Sequence, residues 1–189
     1  HSRKNLARAS LHGRTLESDH AEGLLHFPKE DQRVLAADIK RTRQSYALFK
    51  RDDTLSLVSE VLRREYCVGH GIRYKQGQNE LLAPFVVLQD PPLPAPVLGL
   101  MFEGFMSRFV SRWYVDDEVK ALMVSYRVFR VLLLYVDPVV AEKLDSHGFS
   151  PELYATSWLI TLFSRLGLWV MRQWDVYLAV DDPALVFLL

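Results

Sequence analysis

Apolar residues recur at steps of three and four through most of the chain, and nowhere does a two-residue alternation persist. A 3.6-residue period collects such positions on one side of a helix, whereas a strand needs a period of two. Residues 54–66 set Leu55, Val58, Val61 and Leu62 on one face, with Asp53 or Thr54 in position to cap the start. Residues 118–136 repeat the pattern with Val119, Leu122, Met123, Tyr126, Phe129, Leu133 and Val136. Asp116, Asp117 and Glu118 put negative charge at the positive end of that helix. Asp137-Pro138 ends it or starts the next. Ser150-Pro151-Glu152 predicts a helix through Trp158 to about Leu166, stopped by Gly167, and a further helix spans Trp169 to Ala179. Four prolines within 90–96 mark a loop, after which helical spacing resumes from Val97 to Phe109. No Asn-Gly or Asp-Gly pair offers a hairpin, and no fixed-period repeat supports a solenoid. The expectation is an all-α fold, a single multi-helix domain.

Composition narrows the class. The chain has 189 residues, 49% hydrophobic and 24% charged, near the globular average, so one domain with a real core is expected. Residues 27–189 read as that domain, with 1–26 as an N-terminal segment that could be a partial domain start. The lone Cys67 excludes an internal disulfide and a Cys-rich zinc site, and fits a reducing, cytoplasmic compartment. A formal net charge of zero disfavours a nucleic-acid binder. It hides an asymmetry: 15 Lys+Arg against 10 Asp+Glu over residues 1–75, and 8 against 13 over 76–189. The longest apolar runs, Leu81–Leu88 and Val131–Val136, fall short of the roughly 20 residues a membrane span needs. The apolar stretch Ala184–Leu189 is expected to continue a helix or dock on the domain.

Common catalytic patterns are missing. There is no His-Glu-x-x-His, no Gly-x-Ser-x-Gly, no phosphate loop and no dinucleotide glycine fingerprint. The histidines at 1, 12, 20, 26, 70 and 147 form no metal-ligand pattern, and Cys67 reads as a small packed hydrophobe. Two segments remain. Asp38 and Arg41 in Leu35-Ala-Ala-Asp38-Ile-Lys-Arg41-Thr42 are three apart and would share one face if the segment is helical. Tyr74-Lys-Gln76-Gly77-Gln78-Asn79 stands directly before the apolar helix Glu80–Leu88. Taken singly, the first is an ordinary surface ion pair and the second a capped turn.

Together they carry more. Leu-x-x-Asp-x-x-Arg-Thr, followed by Tyr-x-Gln-Gly-x-Asn with its glutamine 35 residues after the arginine, resembles the paired signature of the TBC domain. That domain is the GTPase-activating module for Rab-type small GTPases. Downstream, Trp158-Leu-Ile-Thr161-Leu-Phe163 and Arg172-Gln-Trp174-Asp175 are similar to a third family stretch. The likeness runs from about Phe27 to Ala179, in the family's order.

The resemblance implies an all-helical domain that supplies two side chains in trans, Arg41 as arginine finger and Gln76 as glutamine finger. It also implies positioning roles for Asp38, Tyr74, Gly77 and Asn79. Trp158, Arg172, Trp174 and Asp175 match scaffold positions. No cofactor or metal of the chain's own is expected, since GTP and Mg²⁺ would be held by a GTP-bound Rab partner. Membrane contact would be indirect, through the lipidated GTPase. The alternative is a TBC-like Rab-binding scaffold or effector without activity. The sequence departs from the family at Gln78, where methionine is usual; a glutamine there must find hydrogen-bond partners or face water. It departs also at Ile39-Lys40, where a proline often precedes the finger, and at the N terminus, where no Arg-x-x-Trp stands.

Overall fold

The computed structural model describes residues 27–69, 72–88, 90–110, 114, 120–167 and 169–187. Among these there are nine α-helices and no strand, an all-α fold as expected. The 1–26 segment, the acidic run 116–118, His70 and Gly71 lie outside the described residues, as do the histidines at 1, 12, 20 and 26.

Helix α1 spans Lys29–Arg41, with Glu30 and Asp31 in its first turn and Lys40 and Arg41 in its last, both signs suited to the helix dipole. Its buried face is Asp31, Leu35, Asp38 and Ile39. Helix α2, Asp52–Glu60, widens into a π-helical stretch over Val61–Val68. The helix predicted from residue 54 therefore starts two residues earlier, and its second half carries i→i+5 bonds that 3.6-residue spacing does not register. Helix α3, Gln78–Val86, is buried nearly all round and carries Pro84 inside it. A helix apolar on every side belongs at the centre of a domain.

Helices α1 and α2 pack against α3, as does the helix that follows it. Helix α4, Ala95–Phe105, runs into a second π stretch, Met106–Val110. The loop expected over 90–96 ends at Pro94, and Pro96 falls in the first turn of α4, where its missing N–H costs nothing. At Gly99 a Cβ would stand 2.5 Å from the Glu65 Cβ, so only glycine lets α4 approach the end of α2 this closely. Phe105 lies 4.4 Å from Trp174 and 5.3 Å from Phe85, ring centre to ring centre, and Tyr66 meets Phe102 edge-on at 4.9 Å.

Helices α5, Lys120–Val136, and α6, Pro138–Ser146, form a hairpin. Asp137 both ends α5 and caps α6: its N–H reaches Leu133 O at 2.8 Å and its carboxylate accepts from Val140 N at 3.0 Å.

The helix predicted from Ser150 to Leu166 is broken. One turn, α7 (Pro151–Tyr154), gives way at Ala155 to α8 (Thr156–Ile160). Leu162 and Phe163 then take left-handed φ values of 44° and 60°. Carbonyls released by the break find side-chain donors from distant elements. Tyr114 donates to Ile160 O at 2.9 Å and Trp174 Nε1 donates to Leu162 O at 3.0 Å; just past the break, Arg43 Nη2 donates to Ser164 O, which also accepts from Gly167 N. Satisfied carbonyls make the interruption affordable in a buried place. The last helix, α9, spans Val170–Val180 and buries Val170, Trp174 and Tyr177. After it, Val186 docks against the core with Leu185 and Phe187 half-buried.

Candidate functional site

Arg41 is the last residue of α1, and its side chain is 66% exposed. Asp38, one turn back, is 4% exposed at its side chain. Arg41 Nη2 donates to Asp38 Oδ1 at 2.6 Å, while Asp38 Oδ2 accepts from the Tyr74 hydroxyl at 2.9 Å. One buried carboxylate therefore holds a terminal nitrogen of an exposed guanidinium and ties it to the segment before α3. Burial, with the Asp38 charge beside it, pushes the Tyr74 phenol far above its ordinary range, so Tyr74 stays a donor.

A second bond joins the same two segments. Asn79 Nδ2 donates to Thr42 Oγ1 at 2.9 Å, and Thr42 Oγ1 donates to Asp38 O at 2.9 Å, closing the end of α1. A third comes from the start of α1. Arg73 holds Asp31 with Nε at 2.8 and 2.9 Å and Nη2 at 2.5 Å, and Tyr74 N donates to Asp31 Oδ2 at 3.0 Å. The Arg73 hydrogen bonds hold the Asp31 carboxyl below its ordinary value, against the opposing effect of burial.

Gln76 is exposed at the tip of the turn from Lys75 to Gln78. Gly77 follows with φ of +102°, and a Cβ there would meet the Tyr114 hydroxyl at 3.0 Å. The turn thus demands glycine for both backbone and space. The structure sets Arg41 and Gln76 on exposed ends of two segments and brings Asp38, Tyr74, Asn79 and Thr42 together beneath them.

Gln78 meets the requirement of its amide only in part. It is fully buried. Its Oε1 receives the Lys75 N–H at 3.4 Å and the Cys67 thiol at 4.0 Å, but its Nε2 has no acceptor. Cys67 is packed in the core with its thiol pushed up to about 12 by burial, which leaves it no nucleophilic character near neutral pH.

Of the downstream positions, Trp174 is buried in the aromatic core and Trp158 is half-buried against Phe163, Tyr154 and Phe129. Arg172 and Asp175 are exposed on α9. Sequence reasoning missed Asp31, Arg43 and Glu80. A signal existed for Asp31: it stands on the same stripe of α1 as Leu35 and Ile39, and a charge on an apolar stripe must have a partner.

The sequence profile of the Rab-GTPase-TBC domain matches residues 5–189, nearly the whole chain. The chain belongs to that family. This TBC domain is 28% identical over 158 residues to the GTPase-activating protein GYP5 of Eremothecium gossypii, covering 82% of the chain and 18% of that protein. It is 25% identical over 167 residues to human TBC1 domain family member 17, covering 85% of the chain and 24% of the relative. It is also 25% identical over 140 residues to the human TBC domain-containing protein kinase-like protein, covering 74% of the chain and 15% of the relative. The chain thus spans under a quarter of the length of these relatives. Among the described residues no helix is long and apolar enough to cross a membrane.

Proposed function

We propose that this TBC domain accelerates GTP hydrolysis on a Rab-type GTPase by supplying Arg41 and Gln76 in trans. The observation that carries the reading is the shared carboxylate of Asp38. It grips exposed Arg41 with one oxygen and, with the other, the Tyr74 hydroxyl two residues before exposed Gln76. Hydrolysis builds negative charge on the phosphoryl oxygens and needs an in-line water. A guanidinium meets that charge with a planar, permanently cationic fork. A carboxamide can donate to the phosphoryl group and accept from the water. An arginine supplied in trans is worth about 10³–10⁵ in rate.

GTP and Mg²⁺ belong to the partner in this mechanism, and the domain brings no cofactor. Its place is cytoplasmic, reaching trafficking membranes only through the lipidated GTPase. Single-turnover hydrolysis across a Rab panel, with wild type, Arg41→Ala and Gln76→Ala, tests the reading. Acceleration by wild type that each variant loses supports it; an alanine variant of equal activity sinks it. A second reading is a Rab-binding module without activity, favoured by the unsatisfied Gln78 amide in the turn that carries Gln76. Binding to GTP-loaded Rab without rate enhancement is its signature.

A further inference from the structure

Arg43 stands two residues after Arg41 and behaves in the opposite way. Its φ is +46°, in the left-handed region, and it is only 8% exposed. Its Nε lies 2.9 Å from Glu80 Oε2, and its Nη2 donates to the Ser164 carbonyl. The Nε–H is not aimed along the carboxylate oxygen, so the contact with Glu80 is a charge pair and not an aligned hydrogen bond.

Three separate stretches meet at this one guanidinium. The first is the turn that leaves α1 just past Arg41. The second is the first turn of α3, where Glu80 stands four residues beyond Gln76. The third is the 3-10 turn Ser164–Leu166 that follows the left-handed corner at Leu162 and Phe163; its Ser164 carbonyl accepts from Gly167 N at 3.3 Å as well as from Arg43. A non-glycine residue in left-handed backbone and a desolvated ion pair both cost free energy, so stability is a poor account of this residue. A rigid, planar fork satisfies two partners only when they hold one mutual placement.

We propose that Arg43 is a positioning residue. Through Glu80 and the Ser164 carbonyl it sets the placement of the Arg41 and Gln76 segments relative to each other, and so governs the chemical step more than affinity for Rab. The turnover part of this inference rests on the activator reading above; the positioning part does not.

The test is Arg43→Met combined with Glu80→Met, which swaps the pair for apolar side chains of similar length and leaves no lone buried charge. Affinity for a Rab loaded with a non-hydrolysable GTP analogue should stay within about threefold of wild type. The single-turnover rate at saturating domain should fall about 10²-fold, the effect of a small misplacement of reacting groups. Amide exchange over residues 41–46 and 74–80 should quicken about tenfold, with α5 and α6 unchanged. Wild-type exchange over those two segments overturns the proposal, and so does wild-type turnover where the parent domain is active. If the parent activates no Rab, the activator reading falls and exchange alone decides the positioning. Should the double variant not fold, Arg43→Lys keeps the charge, loses the fork, and is read by the same measurements.

Discussion

The Tyr74 hydroxyl donates to Asp38 Oδ2 at 2.9 Å across 36 residues of sequence, and both side chains are buried. The other oxygen of the same carboxylate holds Arg41 Nη2, so a tyrosine from one segment steadies the carboxylate that an arginine on another is bonded to.

Tyr74→Phe removes that donor and leaves one lobe of a buried carboxylate short of a partner. The domain should lose about 1–3 kcal/mol of stability, read as a shift in urea midpoint at constant slope. Rab activation should fall with little change in Rab affinity. A midpoint equal to wild type would show that the bond contributes nothing.

Gln78→Met should stabilise. The change removes a fully buried amide nitrogen without an acceptor and sacrifices only long contacts to Lys75 N and Cys67. A gain of about 1 kcal/mol is expected in chemical denaturation, because an unsatisfied buried donor costs 1–3 kcal/mol. A loss of stability would mean that Nε2 finds a partner in solution.

Gly77→Ala should destabilise by about 1–2 kcal/mol, since alanine pays for a φ of +102° and its Cβ presses on the Tyr114 hydroxyl. The turn carrying Gln76 would shift with it. Calorimetry of the variant, beside its single-turnover rate, should show both losses together.

Asp31 predicts an acid limb. Hydrogen bonds from Arg73 depress its folded pKa below the ordinary 3.8, so its contribution is present above that value. It is lost as pH falls through the lower folded value, when the carboxylate protonates. Wild type should therefore weaken steeply below about pH 4, and Asp31→Asn should show a flatter acid limb with lower stability at neutral pH. Urea midpoints measured across this range check the slope.

Much of the helical content was legible because burial on one face imposes a period. Leu122 and Tyr126 on α5 and the helix expected over Trp169 to Ala179 are ordinary cases. Asp137-Pro138 was readable as a boundary because proline and an acidic cap act within a few residues. The break at residues 155–163 was not readable. A helical ladder gives way there where Tyr114 and Trp174 supply donors from other parts of the chain. The π stretch at Val61–Val68 escaped for a related reason, as its packing against Gly99 is a contact between elements.

The sequence by itself determined that this chain is helical and that it belongs with the TBC domains, and it set Arg41 and Gln76 in motifs that resemble the family's. Periodicity, caps and short signatures are local, and local chemistry survives in one dimension. Only the tertiary structure decided that Asp38 serves Arg41 and Tyr74 at once, that Asp31 pins the segment before Gln76, and that Arg43 turns inward while Arg41 stays exposed. Those choices depend on which buried charge meets which donor, and partners tens of residues apart meet only when the core closes.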